Sequence, residues 1–348
     1  MTIVVTGASG HLGNNLVRAL LARGEAVRAV IHKDDRALAG LEVERVQLDI
    51  CDAAAVRRAV GGAKLVYHLA AKISIVGSMG GLVHRVNVEG TRSVAQASLA
   101  EGVRMVHVSS IHAMQQMPKD QPLDETRARV PLGDRRWPAY DQSKAEGERV
   151  VRRLLDEGLD AVILHPTGVI GRHDYGPSRM GTVFIDLWHR RLPALVEGGF
   201  DFVDVRDVTS ALLAAADPAR GRRGESYLLT GHWRSIADIA HAAAAITGKA
   251  PPGLSTPTWL AHVGAPFMTL WSQLTGKEPL YTAESLLALD SNRDMRGDKA
   301  RADLGHNPPP FEHSVYDALA WHRAAGNIDP AAPLQVPAGL TVDANGGA

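Results

Sequence analysis

The chain has 348 residues, enough to bury a sizeable core in one or two domains. Its 38 Lys and Arg balance 38 Asp and Glu, so no net field draws it to nucleic acid, a membrane surface or a highly acidic partner. A single cysteine, Cys51, excludes disulfide scaffolds and zinc clusters and suits a reducing compartment.

Met1 nearly begins the first strand, so no signal peptide is expected. The apolar stretch Trp259 to Trp271 is broken by His262 and Pro266 and is too short to span a bilayer. The expected location is cytoplasmic.

The run Ile3, Val4, Val5 reads as a short buried strand ending at a glycine. The segment T-G-A-S-G-H-L-G follows, with Gly7, Gly10 and Gly13, and Leu12, Leu16, Ala19 and Leu20 then fall at helical spacing. Strand, glycine turn and helix are the context a dinucleotide fingerprint needs. The first glycine permits a tight turn, the second lets backbone approach a pyrophosphate, and the third permits close packing of the helix. Ser9, His11 and Leu12 belong to the same loop and helix start, whose N–H groups favour an anion.

Val27 to Ile31 reads as the second strand. An acidic residue about twenty residues past the glycines marks NAD-selective sites. Here His32 and Lys33 stand at that place, which favours the extra phosphate of NADP over NAD, although Asp34 and Asp35 follow at once and would suit a solvated loop.

Val43 to Leu48 is a third strand ending in Asp49-Ile50, where the acid can accept from an adenine amino group or cap the next helix. Leu65 to Leu69 is a fourth, and the small Ala70 and Ala71 after it would let a flat ring system lie against the backbone. A helix carrying Asn87 follows, then a fifth strand, Met105 to Val108, ending in Ser109-Ser110. Strands alternating with helices imply right-handed βαβ units and a parallel sheet. A loop with Pro118, Pro122, Pro131 and Pro138 leads to Tyr140 and Lys144, whose spacing sets both on one helix face.

In this order the segments resemble the extended branch of the short-chain dehydrogenase/reductase superfamily, over roughly residues 1 to 325. The matching pieces are T-G-A-S-G-H-L-G, L-D-I at 48–50, Y-H-L-A-A at 67–71, V-N-V-E-G-T at 86–91, V-S-S at 108–110, Y-D-Q-S-K at 140–144, H-P-T-G-V-I-G at 165–171 and F-V-D-V-R-D-V at 202–208. The resemblance implies Tyr140 as catalytic acid/base and Lys144 as the group that bonds the nicotinamide ribose and favours tyrosinate. It implies Ser110 as the donor to the substrate carbonyl, with Ser109 its competitor, and Asn87 as the family's asparagine. Pro166 and Val169 would join the cofactor-binding set.

Within the superfamily, Ile111 and His112 stand where sugar-nucleotide dehydratases carry an Asp-Glu pair. Met114 and Gln115 replace the Tyr-Gly pair common in epimerases. The segments H-P-T-G-V-I-G-R-H-D, D-K-A-R-A-D-L-G and A-L-A-W-H resemble the dihydroflavonol reductase-like subgroup, although His165 stands where many relatives have arginine. The resemblance implies an NAD(P)-dependent oxidoreductase for a bulky, largely apolar ketone or aldehyde. An epimerase that retains its cofactor is the rival, and a non-catalytic redox sensor a more distant one.

The expected architecture is α/β: a Rossmann-type doubly wound parallel sheet with a smaller, mostly helical C-terminal substrate lobe. Residues 1–166 and about 200–231 would form the first, and about 167–199 and 232–325 the second. Residues 326–348 would be a mobile tail. Trp259, Phe267, Met268, Leu270, Trp271 and Leu274 enrich the lobe in apolar side chains; His112, Tyr175 and His189 are further pocket candidates. The 15 histidines show no metal-ligand spacing, so no metal is expected. A homodimer is compatible with the resemblance.

Overall fold

The computed structural model describes residues 2–258, 260 and 282–342. Trp259, Phe267, Met268, Leu270, Trp271 and Leu274 lie outside the described residues. The first half alternates strand and helix: β1 (Thr2–Thr6), α1 (His11–Ala22), β2 (Val27–Ile31), β3 (Glu44–Gln47), α2 (Ala53–Val60) and β4 (Ala63–His68). Next comes α3 (Leu82–His84), which runs through a π-helical turn (Arg85–Gly90) into α4 (Thr91–Ala100). The half closes with β5 (Met105–Val108), α5 (Ala139–Asp156) and β6 (Ala161–Pro166).

The second half holds β7 (Gly168–Ile170), α6 (Arg179–Trp188), β8 (Leu195–Val196), β9 (Gly199–Asp204), α7 (Val205–Ala215), β10 (Ser226–Leu229) and β11 (His232–Ser235). It continues with α8 (Ile236–Thr247), β12 (Ser255–Thr256), α9 (Ala283–Leu289), α10 (Asp298–Leu304) and α11 (Phe311–Ala324).

The main sheet has the order β10-β6-β5-β4-β1-β2-β3, and every pairing in it is parallel. Strand order reverses between β1 and β4, so the crevice beyond their C-terminal ends is the place this topology offers a ligand. Both faces are covered, which is why β1 is apolar from Ile3 to Val5. Ile3 and Val5 face one core with Leu16, Val17, Val208 and Leu212, while Val4 faces the other with Val60, Val94 and Val151.

A third core, built from Phe184, Trp188, Phe202, Ile239, Phe311 and Leu319, holds the second lobe. It carries a three-stranded sheet, β11-β9-β7, and a two-stranded one, β12-β8. Two details depart from the expected partition. β9 pairs within the lobe's sheet rather than the main sheet, and spans both cores: Phe200 and Phe202 face the lobe while Val203 faces the sheet helices. Ala300 and Leu304 of α10, assigned by sequence to the lobe, are buried against the main sheet.

The described part of the expected tail is not free. Ile328 and Ala332 are buried in the lobe core, Leu334, Leu340 and Val342 pack against it, and the Gln335 N–H donates to Ile246 O at 2.8 Å. Composition rich in Pro, Ala and Gly hid these few apolar anchors. No helix among the described residues is long and apolar enough to cross a membrane.

The turn after β1 is sterically closed to other residues. Gly7 has φ +66°, and a Cβ there would meet Ala70 N at 2.8 Å; a Cβ on Gly13 would lie 2.0 Å from Gly7 O. Gly13→Ala must therefore push α1 away from the turn. We expect a loss of about 1–3 kcal/mol in denaturant unfolding, with nucleotide affinity falling in parallel.

Candidate active site

The floor of the crevice is a buried hydrogen-bond chain that the sequence did not reveal. Thr6 Oγ1, at the end of β1, contacts His68 Nδ1 at 2.8 Å, and His68 Nε2 contacts Thr91 Oγ1 at 3.0 Å. Thr91 in turn donates to Asn87 O at 2.7 Å. Thr91 has spent its proton, so His68 Nε2 must be the donor and Nδ1 the acceptor from Thr6. Burial pushes His68 down to about 3, which keeps the ring neutral and this proton order fixed. Thr6 Oγ1 also accepts from Leu69 N and Ala70 N, both at 3.2 Å, and so holds the backbone after β4 beside the glycine turn. Ala71 follows as an exposed residue.

Asn87 sits in the π-helical turn, where Oδ1 accepts from Lys72 N at 2.7 Å. Its Nδ2 donates to Lys72 O at 3.0 Å and to Ser143 Oγ at 2.8 Å. Ser143 donates onward to Tyr140 O at 2.7 Å. Both N–H bonds of the Asn87 amide and its oxygen are thereby engaged by protein groups. A Cβ on Gly147 would lie 2.6 Å from Asn87 O, so α5 approaches this turn closely only because residue 147 is glycine.

Tyr140 and Lys144 occupy the buried face of α5. Burial pushes the Tyr140 phenol up to about 12; the Ser110 hydroxyl works against this and the Asp141 carboxylate adds to it. Lys144 Nζ donates to Val108 O at 2.9 Å, and burial lowers its ammonium to about 8 against the opposing pull of Glu148. The Lys144 ammonium is thus engaged by a main-chain carbonyl, one turn along α5 from the buried Tyr140 phenol. Ser110 caps a short 3-10 turn (Ile111–Ala113) and accepts from His112 N at 3.2 Å. Ser109 points elsewhere: its hydroxyl donates to Glu148 Oε2 at 3.4 Å.

Glu148 is a fully buried carboxylate one turn beyond Lys144. Burial opposes its charge, but His165, Arg129 and Arg152 outweigh that and hold it well below the usual carboxylate range. Arg129 Nε lies 2.7 Å from Oε1, Arg152 Nε 2.9 Å from Oε1, and His165 Nε2 2.7 Å from Oε2. His165, which replaces an expected arginine, is therefore a buried neutral donor, lowered by burial against the pull of Glu148. The i+4 spacing from Lys144 was the one sequence signal that could have found Glu148.

The cofactor candidates divide into two groups. Gly10 caps α1 with no side-chain partner, and the first turn carries no acid, so its N–H groups are left for an anion. Ser9, His11 and Leu12 are half-buried around it, with His11 donating to Arg172 O at 3.0 Å. Asn14 and Asn15 clamp the strand after β7 by donating to His173 O at 2.9 Å and Arg172 O at 3.1 Å. His32 and Lys33 stand exposed at the end of β2. Asp34, the nearest acid, is held down to about 2 by its hydrogen bonds with Arg36, so it is committed to that arginine. Asp49 accepts from Cys51 N at 2.9 Å, and Ile50 is buried in the core. Pro166 ends β6, and Val169 lies in β7 against the first core.

The three pocket candidates separate. His112 contacts Tyr140, with ring centroids 5.5 Å apart. Tyr175 instead accepts from Arg18 at 2.8 Å and packs on Trp321, and His189 is exposed with Nε2 on Asn327 O at 3.2 Å. Both are engaged outside the Tyr140 cluster because the loop after β7 and the end of α6 bind their neighbours locally.

A family model described as the NAD dependent epimerase/dehydratase family matches residues 3–229. The chain belongs to that family. Among relatives of this epimerase/dehydratase member, "Sterol demethylase protein B" of Methylococcus capsulatus is 37% identical, over 94% of this chain and 100% of its own. The "4-hydroxy-2-methyl-3-oxo-4-farnesyl-3,4-dihydroquinoline-1-oxide ketoreductase" of Stigmatella aurantiaca is 29% identical, over 94% of this chain and 98% of its own. The crystal structure of gox2253 superimposes with a TM-score of 0.80 at 30% identity, covering 94% of this chain and 99% of that one.

Two measurements test the buried network. His68 is lowered from 6.5 to about 3 in the fold, so the unfolded chain binds a proton there that the folded chain refuses. Stability conferred by the neutral ring is complete above about 6.5 and falls through that window by about 1.4 kcal/mol per pH unit. Denaturant unfolding should show stability falling as pH drops below about 6.5, and His68→Gln should lessen that slope by one proton's share, the lowered His107, His173 and His322 supplying the rest. Glu148→Ala leaves Arg129 and Arg152 without their counter-charge and should cost about 3–5 kcal/mol.

Proposed function

We propose that this protein is an NAD(P)-dependent oxidoreductase that reduces a bulky, largely apolar ketone or aldehyde, or oxidises the matching secondary alcohol. One observation carries the reading: the Tyr140 phenol meets the Ser110 hydroxyl, and the Lys144 ammonium meets Val108 O, at the C-terminal end of β5, two strands along the parallel sheet from β1 and its glycine turn. The names of the two relatives above, one a sterol protein and one a ketoreductase of a farnesylated ring, support the substrate class.

The open N-terminus of α1 and the glycine turn fit a dinucleotide pyrophosphate. Gly7, Ser9, Gly10, His11, Leu12 and Gly13 would hold it, with Asp49 and Ile50 at the adenine. Leu69, Ala70, Ala71, Pro166 and Val169 would line the nicotinamide half, and Lys144 would bond its ribose. His32 and Lys33 favour NADP, because they are exposed cations at a strand end whose nearest carboxylate is already paired. Bound there, the nicotinamide supplies or accepts the hydride.

The chain's own residues then handle the oxygen. Ser110 donates a hydrogen bond to the substrate carbonyl and orients it. Tyr140 delivers the proton to the developing alkoxide, and its buried, protonated phenol suits that direction. Lys144 stabilises the tyrosinate left behind and is itself charged below about 8. Asn87 and Ser143 keep the first turn of α5 in place throughout.

The test is absorbance of NADPH, with NADH in parallel, against a panel of aryl, terpenoid and steroid ketones and aldehydes. Steady oxidation with one substrate is expected, faster with NADPH. Absence of any turnover, with nucleotide retained in the purified protein, would favour an epimerase instead. Tyr140→Phe should lower kcat by at least about 10²-fold with nucleotide affinity unchanged. Lys33→Glu should raise KM for NADPH and leave NADH kinetics nearly unaltered.

A further inference from the structure

Asp141 follows the acid/base tyrosine directly, on the first turn of α5. A carboxylate in that position is costly for the proposed chemistry, because negative charge beside a phenol opposes formation of tyrosinate. Its partner is His112, carried by the turn that Ser110 caps: His112 Nδ1 lies 3.1 Å from Asp141 Oδ1. The imidazole is held on two further sides, edge-on to the Tyr140 ring with centroids 5.5 Å apart and stacked on Phe200 at 5.5 Å and 17°. Its backbone N–H is tied to Ser110 Oγ at 3.2 Å. The two arms of the catalytic group, the serine turn and the tyrosine helix, thus meet a second time through a charge pair.

We propose that His112 and Asp141 form a charge-compensating dyad that tunes Tyr140, the protonated imidazole cancelling the carboxylate carried next to the phenol. The inference rests on Tyr140 being the acid/base, and it makes His112 a positioning residue that acts through the tyrosine. Burial works against a charged ring, but Asp141 outweighs it and raises His112 above its ordinary value, which favours the protonated ring beside the carboxylate. Among the described residues, the other titratable groups that face the pair are Tyr140 on α5 and Glu284 on α9. Glu284 is raised by burial and further by Asp141, and its Oε2 accepts from Gly77 N at 3.2 Å. Phe200 of β9 closes the remaining side without charge.

Loss of one partner does not have the same electrostatic consequence as loss of the other. Without His112, Asp141 is an uncompensated charge and tyrosinate forms less readily. Without Asp141, the half-buried imidazole loses its counter-charge and deprotonates, so the pair's place beside the phenol is again neutral. Removal of both restores neutrality, and the tyrosine returns toward its original titration.

The experiment reads Tyr140 directly, with no need of a substrate. Tyrosinate absorbance is titrated in the NADP⁺-bound protein, taking the difference from Tyr140→Phe. His112→Gln should move the transition up by about one pH unit, and His112→Gln combined with Asp141→Asn should bring it back. A transition that stays in place in the single variant, or stays displaced in the double one, overturns the proposal, whatever happens to the melting temperature. The second measurement uses the nucleotide-free protein, so it holds even where a variant binds NADP⁺ poorly. The His112 ring followed by NMR should titrate above about 6.5 in the wild type and below it in Asp141→Asn; a wild-type value below 6.5 overturns the dyad. Failure of the ketone panel with these titrations as expected would remove the reductase reading and leave the dyad standing.

Discussion

The structure depends on one chain of protons running from the glycine turn to the catalytic helix. Thr6, His68 and Thr91 link β1, β4 and α4, and Asn87 and Ser143 extend the link to the first turn of α5. Every member is buried, so each unmade hydrogen bond would cost the full desolvation of its partner. A neutral His68 with a single permitted tautomer gives the chain a direction. Its consequence is positional: the backbone at Leu69 and Ala70, the turn at Gly7 and the phenol at Tyr140 form one rigid unit.

A second buried layer stands behind this one and has the opposite character. Glu148 with Arg129, Arg152 and His165 is ionic, whereas the His68 chain is neutral. Lys144 lies between them, its ammonium on a main-chain carbonyl and its charge supported by Glu148 one turn away. An isolated buried lysine would neutralise, as would an isolated buried glutamate. Two arginines supply the compensation that lets Glu148 stay charged, and Glu148 in turn keeps Lys144 from falling further. The charge of Lys144 is therefore supported by a buried ionic group one turn away.

The second lobe brings the apolar part of the site. Phe200 reaches the His112 ring from β9, a strand shared between the two cores, so the lobe is coupled to the serine turn through aromatic contact. Thr282 and Glu284, which open α9, bond the loop after β4 at Ile75 and Gly77. The contacts around His112 and the loop after β4 are thus drawn from segments far apart in the chain, and this is why they have no local sequence signature.

By itself the sequence determined the α/β class, the parallel βαβ order and the glycine turn, because these rest on short-range signals: β-branched runs, glycine spacing and helical period. The strands Val27–Ile31 and Met105–Val108 were legible to the residue. The spacing of Tyr140 and Lys144 set them on one helix face, and the resemblance supplied their roles. Only tertiary structure decided which serine faces the phenol, since Ser109 and Ser110 differ solely in where β5 ends and a 3-10 turn begins. It alone paired His68 with Thr6 and Thr91, His165 with Glu148, and His112 with Asp141. It also seated the end of the chain on the lobe, where Ile328 and Ala332 outweigh a composition that otherwise reads as unstructured. The reason is common to all of these. A polar pair buried between distant elements has no period and no fixed separation, and its energy exists only once water has been excluded around both partners.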